Sequence, residues 1–320
     1  MRMMRSQLGR LWRASRPLTA AGAVMLVAFV ASSAAMAVDH GTILGAPAWL
    51  KPAKFAVSTA IYVFTLAWIF TYLPDRRRLT TNVGWITAII VTLEVGIIDA
   101  QAARGVTSHF NVGTPLDAAL FSIMGLGILI AWGAAIALTV ALFRHRFADA
   151  TFGWALRLGM LLTVIGQGTG GLMTNPTKVQ LADARTTRIT AAGAHTVGAP
   201  DGGPGVPITG WSREHGDLRV PHFAGLHAVQ LLPAIAWLIG PLGSAVRRRR
   251  AIFVAAAAYL ALFGILLAQA LIGQPALAPQ GMTVVALATW FAALIAGSAF
   301  VLAARRDATD GDRLPMMVSR

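Results

Sequence analysis

Apolar residues along this chain fall into eight long blocks, separated by short polar stretches that carry arginine, glycine and proline. The blocks lie at about 17–38, 53–73, 82–104, 115–142, 151–173, 222–243, 251–273 and 281–303. Each is close to the roughly 20 apolar residues that a helix needs to cross a hydrocarbon core about 30 Å thick. Backbone groups in lipid must be satisfied internally, and segments this long and uniform are helices rather than barrel strands. The pattern predicts an all-α fold, a polytopic transmembrane helix bundle of about 8 helices that forms a single domain over 1–320.

The polar stretches orient the bundle. Five arginines up to Arg16, then Arg76 to Arg78, Arg144, Arg146, Arg157, Arg247 to Arg250 and four more beyond Val301 fall on alternate connections. The positive-inside rule puts these, and so both the N and C termini, in the cytoplasm. A bacterial inner-membrane location follows as an expectation. Ala35-Met36-Ala37 resembles a signal-peptide cleavage site. The apolar run from Leu18 is longer than a usual signal core, so an uncleaved first helix is expected; cleavage would leave seven. The one long connection, 174–221, lies outside and contains the Gly/Pro-rich run 198–207. It reads as an extracytoplasmic lid, with disorder as the competing expectation.

Composition sharpens this picture. The 320 residues are 56% apolar and only 12% charged, about half the charge of a soluble domain. The formal charge of +14 could suggest nucleic acid, but only three of the 27 basic residues are lysines and most arginines mark topology. No nucleic-acid partner is expected; the lipid bilayer is the first partner. Absence of cysteine excludes disulfides, thiolate metal sites, iron–sulfur clusters and a cysteine nucleophile.

Candidate chemistry then reduces to a few side chains. Of seven histidines only His145 lies on the cytoplasmic side. His109, His222 and His227 flank or enter helices and are candidate ligands for haem b or a transition metal, or proton relays. His222 and His227 are five residues apart, about 140° on an ideal helix. Both could approach one ion only if His222 sat in a non-helical segment. His195 and His215 read as loop decoration and His40 as interfacial. In the third block Glu94 is near the midpoint, where a carboxylate costs about 2.5–3.5 kcal/mol unless paired or protonated. Gln101 shares its face, while Asp99 points away and is expected to pair with Arg104 or another helix. Glu94, Asp99, Gln101 and His227 are the candidate catalytic or proton-handling residues.

Other polar features have plainer readings. Thr114-Pro115-Leu116-Asp117 fits a helix cap, and Arg157 can reach the interface. Gly166 and Gly170 have a spacing that allows close helix contact, or else mark an unwound segment. Gln167, Gln230 and Gln269 add polar positions in the outer halves of the fifth, sixth and seventh helices. Trp49, Lys51 and Lys54 read as interfacial anchors; the alternative is that the lysines, with Arg104, form the cationic part of an anion site.

The stretches Trp49–Phe55, Arg104–Asn111 and Pro221–Gln230 resemble those of an uncharacterised group of bacterial multi-spanning membrane proteins. The resemblance covers three short motifs and implies no activity; it directs attention to the same outer residues. Function is therefore read from the residues. The first expectation is a redox or metal- or haem-binding membrane protein with an outer-facing histidine site, in which Glu94 and Gln101 handle protons or a quinone. A proton-coupled transporter of a small solute is the alternative, followed by a membrane-embedded hydrolase or a subunit of an envelope complex. A homo-oligomer is compatible with each.

Overall fold

The computed structural model describes residues 2–240 and 243–303. Twelve helices occur among them: α1 (Arg2–Ala14), α2 (Arg16–Val38), α3 (Leu50–Phe70), α4 (Arg77–Ala103), α5 (Pro115–Arg144), α6 (Ala150–Gly168), α7 (Gly170–Met173), α8 (Lys178–Asp183), α9 (Arg219–Leu226), α10 (Ala228–Leu238), α11 (Ala245–Leu271) and α12 (Met282–Ala303). Two hairpins of two-residue strands are the only paired strands described, β1 (Thr42–Ile43) with β2 (Ala46–Pro47) and β3 (Thr196–Val197) with β4 (Gly216–Asp217). The protein is all-α in class. The arginines beyond Val301, on which the expected orientation of the C-terminus rests, lie outside the described residues.

Six helices (α2, α3, α4, α5, α11 and α12) are long and apolar enough to cross a membrane, the mark of an integral membrane protein in contact with lipid. Large apolar side chains remain exposed along them, among them Val27, Ile89, Leu126, Leu129 and Phe291. In water such a surface would drive aggregation; against acyl chains it costs nothing. The interior is held by Leu18, Leu66, Ile69, Leu138, Leu142, Leu156, Met160 and Val229, which knit α2, α3, α5, α6 and α10 together. Local signals start the helices as the sequence implies. The Thr114 hydroxyl accepts the Asp117 N–H, and the Asp149 carboxylate accepts those of Thr151 and Phe152. Arg157 turns to the carbonyls of Leu142 and His145 at the end of α5.

The two remaining apolar blocks differ from the other six. The fifth forms α6, of 19 residues, and is interrupted at Thr169. The sixth is broken at His227 into α9 and α10, neither long enough to cross alone. The break is sustained by α6. The Thr163 hydroxyl donates to the Leu226 carbonyl at 3.2 Å and accepts the Val229 N–H at 3.1 Å. The Tyr259 hydroxyl of α11 donates to the Ala224 carbonyl. Backbone groups released by the break are thus re-satisfied by neighbouring side chains, the condition for unwinding at membrane depth. Gly166 makes this approach feasible: a Cβ there would lie 2.4 Å from Gly225 Cα. The Gly166–Gly170 pair thus combines both expectations, contact at its first residue and interruption near its second.

The long connection is an ordered cap. Gln180 brackets Gly193 with two 3.0 Å bonds, accepting its N–H and donating to its carbonyl. Gly193 has φ +112°, and a Cβ there would lie 2.4 Å from the Met173 carbonyl oxygen, so only glycine serves. The cap is tied to the bundle at several points. Ala192 N–H donates to Phe110 O, Val112 N–H to Thr190 O, and Ala194 N–H to Met173 O.

Candidate functional site

At the cap end of the bundle, α3 begins, α4 ends and the connection 104–114 dips inward. That connection is shaped by a polar knot. Asp117, 3% exposed, accepts from Gln101, Arg104 and Thr114 at 2.9, 2.7 and 2.6 Å. Arg104 also donates to Gln101. Arg104 therefore pairs with Asp117 and not with Asp99, one of whose carboxylate oxygens is buried without a partner. Gln101 and one terminal nitrogen of Arg104 are engaged in this knot.

The knot delivers His109 to the interior. Its Nε2 lies 3.3 Å from Oε1 of Glu94, its Nδ1 3.0 Å from the Lys51 ammonium and 3.2 Å from the Ser108 hydroxyl. A lysine ammonium only donates, so Nδ1 accepts and Nε2 carries the proton that it donates to Glu94. Three titratable groups from α3, a re-entrant connection and α4 thereby form one chain. Glu94 is 6% exposed, and its Oε2 has no hydrogen-bond partner. Burial, with the Lys51 charge adding to it, holds His109 well below the ordinary imidazole range, so it bridges the two ends as a neutral ring.

The cap contributes a second pair. His195 Nδ1 meets Asp201 at 2.8 Å, and the same carboxylate accepts the N–H groups of His195 and Thr196. Burial raises the Asp201 carboxyl, but those bonds outweigh it and hold it below the carboxylate range; burial likewise lowers His195. Phe110 stacks edge-on against His195, with ring centroids 4.8 Å apart, linking the cap to the His109 connection.

A polar file continues down α3. Lys51, Lys54, Tyr62 and Thr65 fall within a sector of about 80° on an ideal helix. Lys54 donates to the Thr209 carbonyl of the cap at 2.7 Å. Lower down, Tyr62 and Thr65 each accept at 3.3 Å from Gln167 and Gln230. Gln167 Oε1, Gln230 Oε1 and His227 Nε2 are buried without a partner, like Glu94 Oε2. Lys51 and Lys54, expected chiefly as interfacial anchors, turn inward beneath the cap. Their file spacing along α3 was the signal that could have found them.

The three candidate ligand histidines are used differently. His109 has both ring nitrogens engaged. His222 sits within helical α9 and donates from Nδ1 to the Gly166 carbonyl at 2.9 Å. His227 occupies the break, its ring 4.2 Å from that of Phe223. The non-helical setting that would let His222 and His227 share an ion is therefore not the one adopted. Among the described residues no group of three or more His, Asp or Glu side chains is arranged to hold a metal. Comparison of the chain with protein-family models, curated proteins and solved structures finds no match.

The buried imidazoles make a prediction. His109 and His195 are neutral in the fold, whereas an exposed imidazole gains its proton near pH 6.5. More protons bind the opened state on acidification, so stability at the cap falls as pH drops below about 6.5. Asp201 adds the same sign only below about pH 4, where unfolded carboxyls titrate. Hydrogen exchange at the His195 and Thr196 amides, corrected for intrinsic rates, is expected to accelerate between pH 7 and pH 5. Constant protection over that range would contradict neutral buried rings.

Proposed function

We propose that this chain is a proton-coupled transporter of a small solute in the bacterial inner membrane. In this reading α6 and the broken α9–α10 complete eight crossings, both termini are cytoplasmic and the cap faces outside. The observation that carries it is the Lys51–His109–Glu94 chain, ending in a buried carboxylate oxygen with a free valence. A proton passing from Lys51 to Nδ1, with the Nε2 proton passing to Glu94, leaves a neutral lysine, a neutral imidazole and a carboxylic acid. Charge moves inward with no ion exposed to lipid. Support also comes from the helix break at His227, since discontinuous helices commonly frame transporter sites. Intramembrane carboxylates and histidines are characteristic of proton paths.

The test reconstitutes the protein in vesicles with a lumenal pH dye and adds sulfate, gluconate or sorbitol outside. Solute-dependent acidification is expected with the native chain, reduced about 100-fold in His109→Ala. A lumen that responds to none of the three, or equally in both proteins, overturns the reading.

A further inference from the structure

Two lysines lie side by side beneath the cap, each with spare donors. Lys51 Nζ donates to His109 and Lys54 Nζ to the Thr209 carbonyl, so each ammonium keeps two N–H groups beyond these bonds. The cap backbone closes over them: Gly210, at φ +66°, places its Cβ position 3.7 Å from Lys54 Nζ. The charges nearby are largely committed. Arg219 is clamped on Asp217 through Nε and a terminal nitrogen and also donates to the Gly210 carbonyl. Asp201 is held by His195 and two backbone N–H groups. The remaining carboxylate in reach of Lys51 is Glu94, joined to it only through the His109 ring.

We propose that Lys51 and Lys54 bind a small oxyanion, a carboxylate- or phosphate-type group, and that the protonation state of Glu94 sets its affinity. With Glu94 ionised, its charge balances Lys51 across the ring. With Glu94 protonated and Lys51 recharged by a proton from the outer side, the lysine charge passes to the anion, so one proton and one negative charge enter together. This rests on the proton-handling reading of Glu94 and supplies its substrate class. His109, His195 and His222 face the same region, with Arg219 and Asp217 behind them, and protonation of those rings would also favour an anion. The test therefore separates them from Glu94.

Sulfate and gluconate, which do not titrate near neutrality, are the probes for full-length protein in neutral detergent between pH 5.5 and 7.5. Their dissociation constants, from thermal shift, are expected to tighten about tenfold per pH unit fall where Glu94 titrates. Lys54→Gln is expected to weaken binding at least tenfold with its unliganded melting temperature retained. Should that variant misfold, Lys54→Arg preserves the charge and is expected to bind. Glu94→Gln is expected to bind with no pH dependence; dependence surviving there assigns the coupling to histidines and overturns the role of Glu94. No binding, or binding indifferent to Lys54, overturns the site. Phosphatidylglycerol in a parallel arm distinguishes a lipid headgroup: protection by that lipid alone overturns a free solute. Lysine-dependent binding without solute-driven acidification removes the transporter reading but leaves the anion site. Acidification without such binding does the reverse.

Discussion

Replacing Gly166 with valine is expected to remove about 3 kcal/mol of stability, seen as a melting temperature lower by about 5–10 °C in detergent. The magnitude follows from what a side chain would meet. A Cβ at Gly166 would lie 2.4 Å from Gly225 Cα and 2.6 Å from its carbonyl carbon. Both obstacles are backbone, and the opposing residue of α9 is itself a glycine, so no rotamer change relieves them. Separating α6 from α9 would also draw Thr163 away from Leu226 and Val229, exposing the broken backbone that it satisfies. Gly125→Ala on α5 is the control, because nothing lies within 4 Å of a Cβ there. Alanine is the better helix former, so that variant is expected to be neutral or slightly stabilised. Equal melting temperatures for the two variants would show that the close crossing is not a determinant of the fold.

The second large effect concerns Glu94. Glu94→Gln keeps the size and the acceptor for His109 Nε2 but cannot take up or release a proton. Solute-driven acidification in vesicles is expected to fall by about two orders of magnitude, the usual contribution of a positioned proton-transfer group. The fold is expected to persist, since the 3.3 Å contact with His109 can be made by an amide oxygen. An undiminished rate in this variant would rule Glu94 out as the proton carrier, whatever its contribution to packing. Reading both rate and melting temperature separates loss of chemistry from loss of structure.

Much of the fold was legible from apolar length alone, because lipid permits few alternatives to a helix. Six blocks appear as uninterrupted helices, and the Thr114–Asp117 cap forms as its residue types imply. The interruptions were harder to see. His227 sits in a run whose composition suits a continuous helix, and the break depends on Thr163 and Tyr259 from other helices. The bonding within the cap was equally hidden, since a Gly/Pro-rich run suits a lid or disorder alike until Gln180, Asp201 and Asp217 are seen collecting its backbone N–H groups. Of the site, Glu94 and His109 stood out individually through depth and residue type. Their partnership did not, because it requires the 104–114 connection to fold back, which the Gln101–Arg104–Asp117 knot arranges. Lys51 was obscured by Trp49 beside it, which makes an anchor the natural reading. Asp99 does not gain Arg104 as a partner because the knot engages that guanidinium with Asp117.

The bonds between the cap and the residues flanking His109 have a mechanical consequence. Ala192 and Val112 stitch the two segments together just beyond the imidazole, through Phe110 and Thr190. Lifting the cap therefore tugs the ring out of line between Lys51 and Glu94. In the proposed transport function, a raised cap would break the proton path between Lys51 and Glu94.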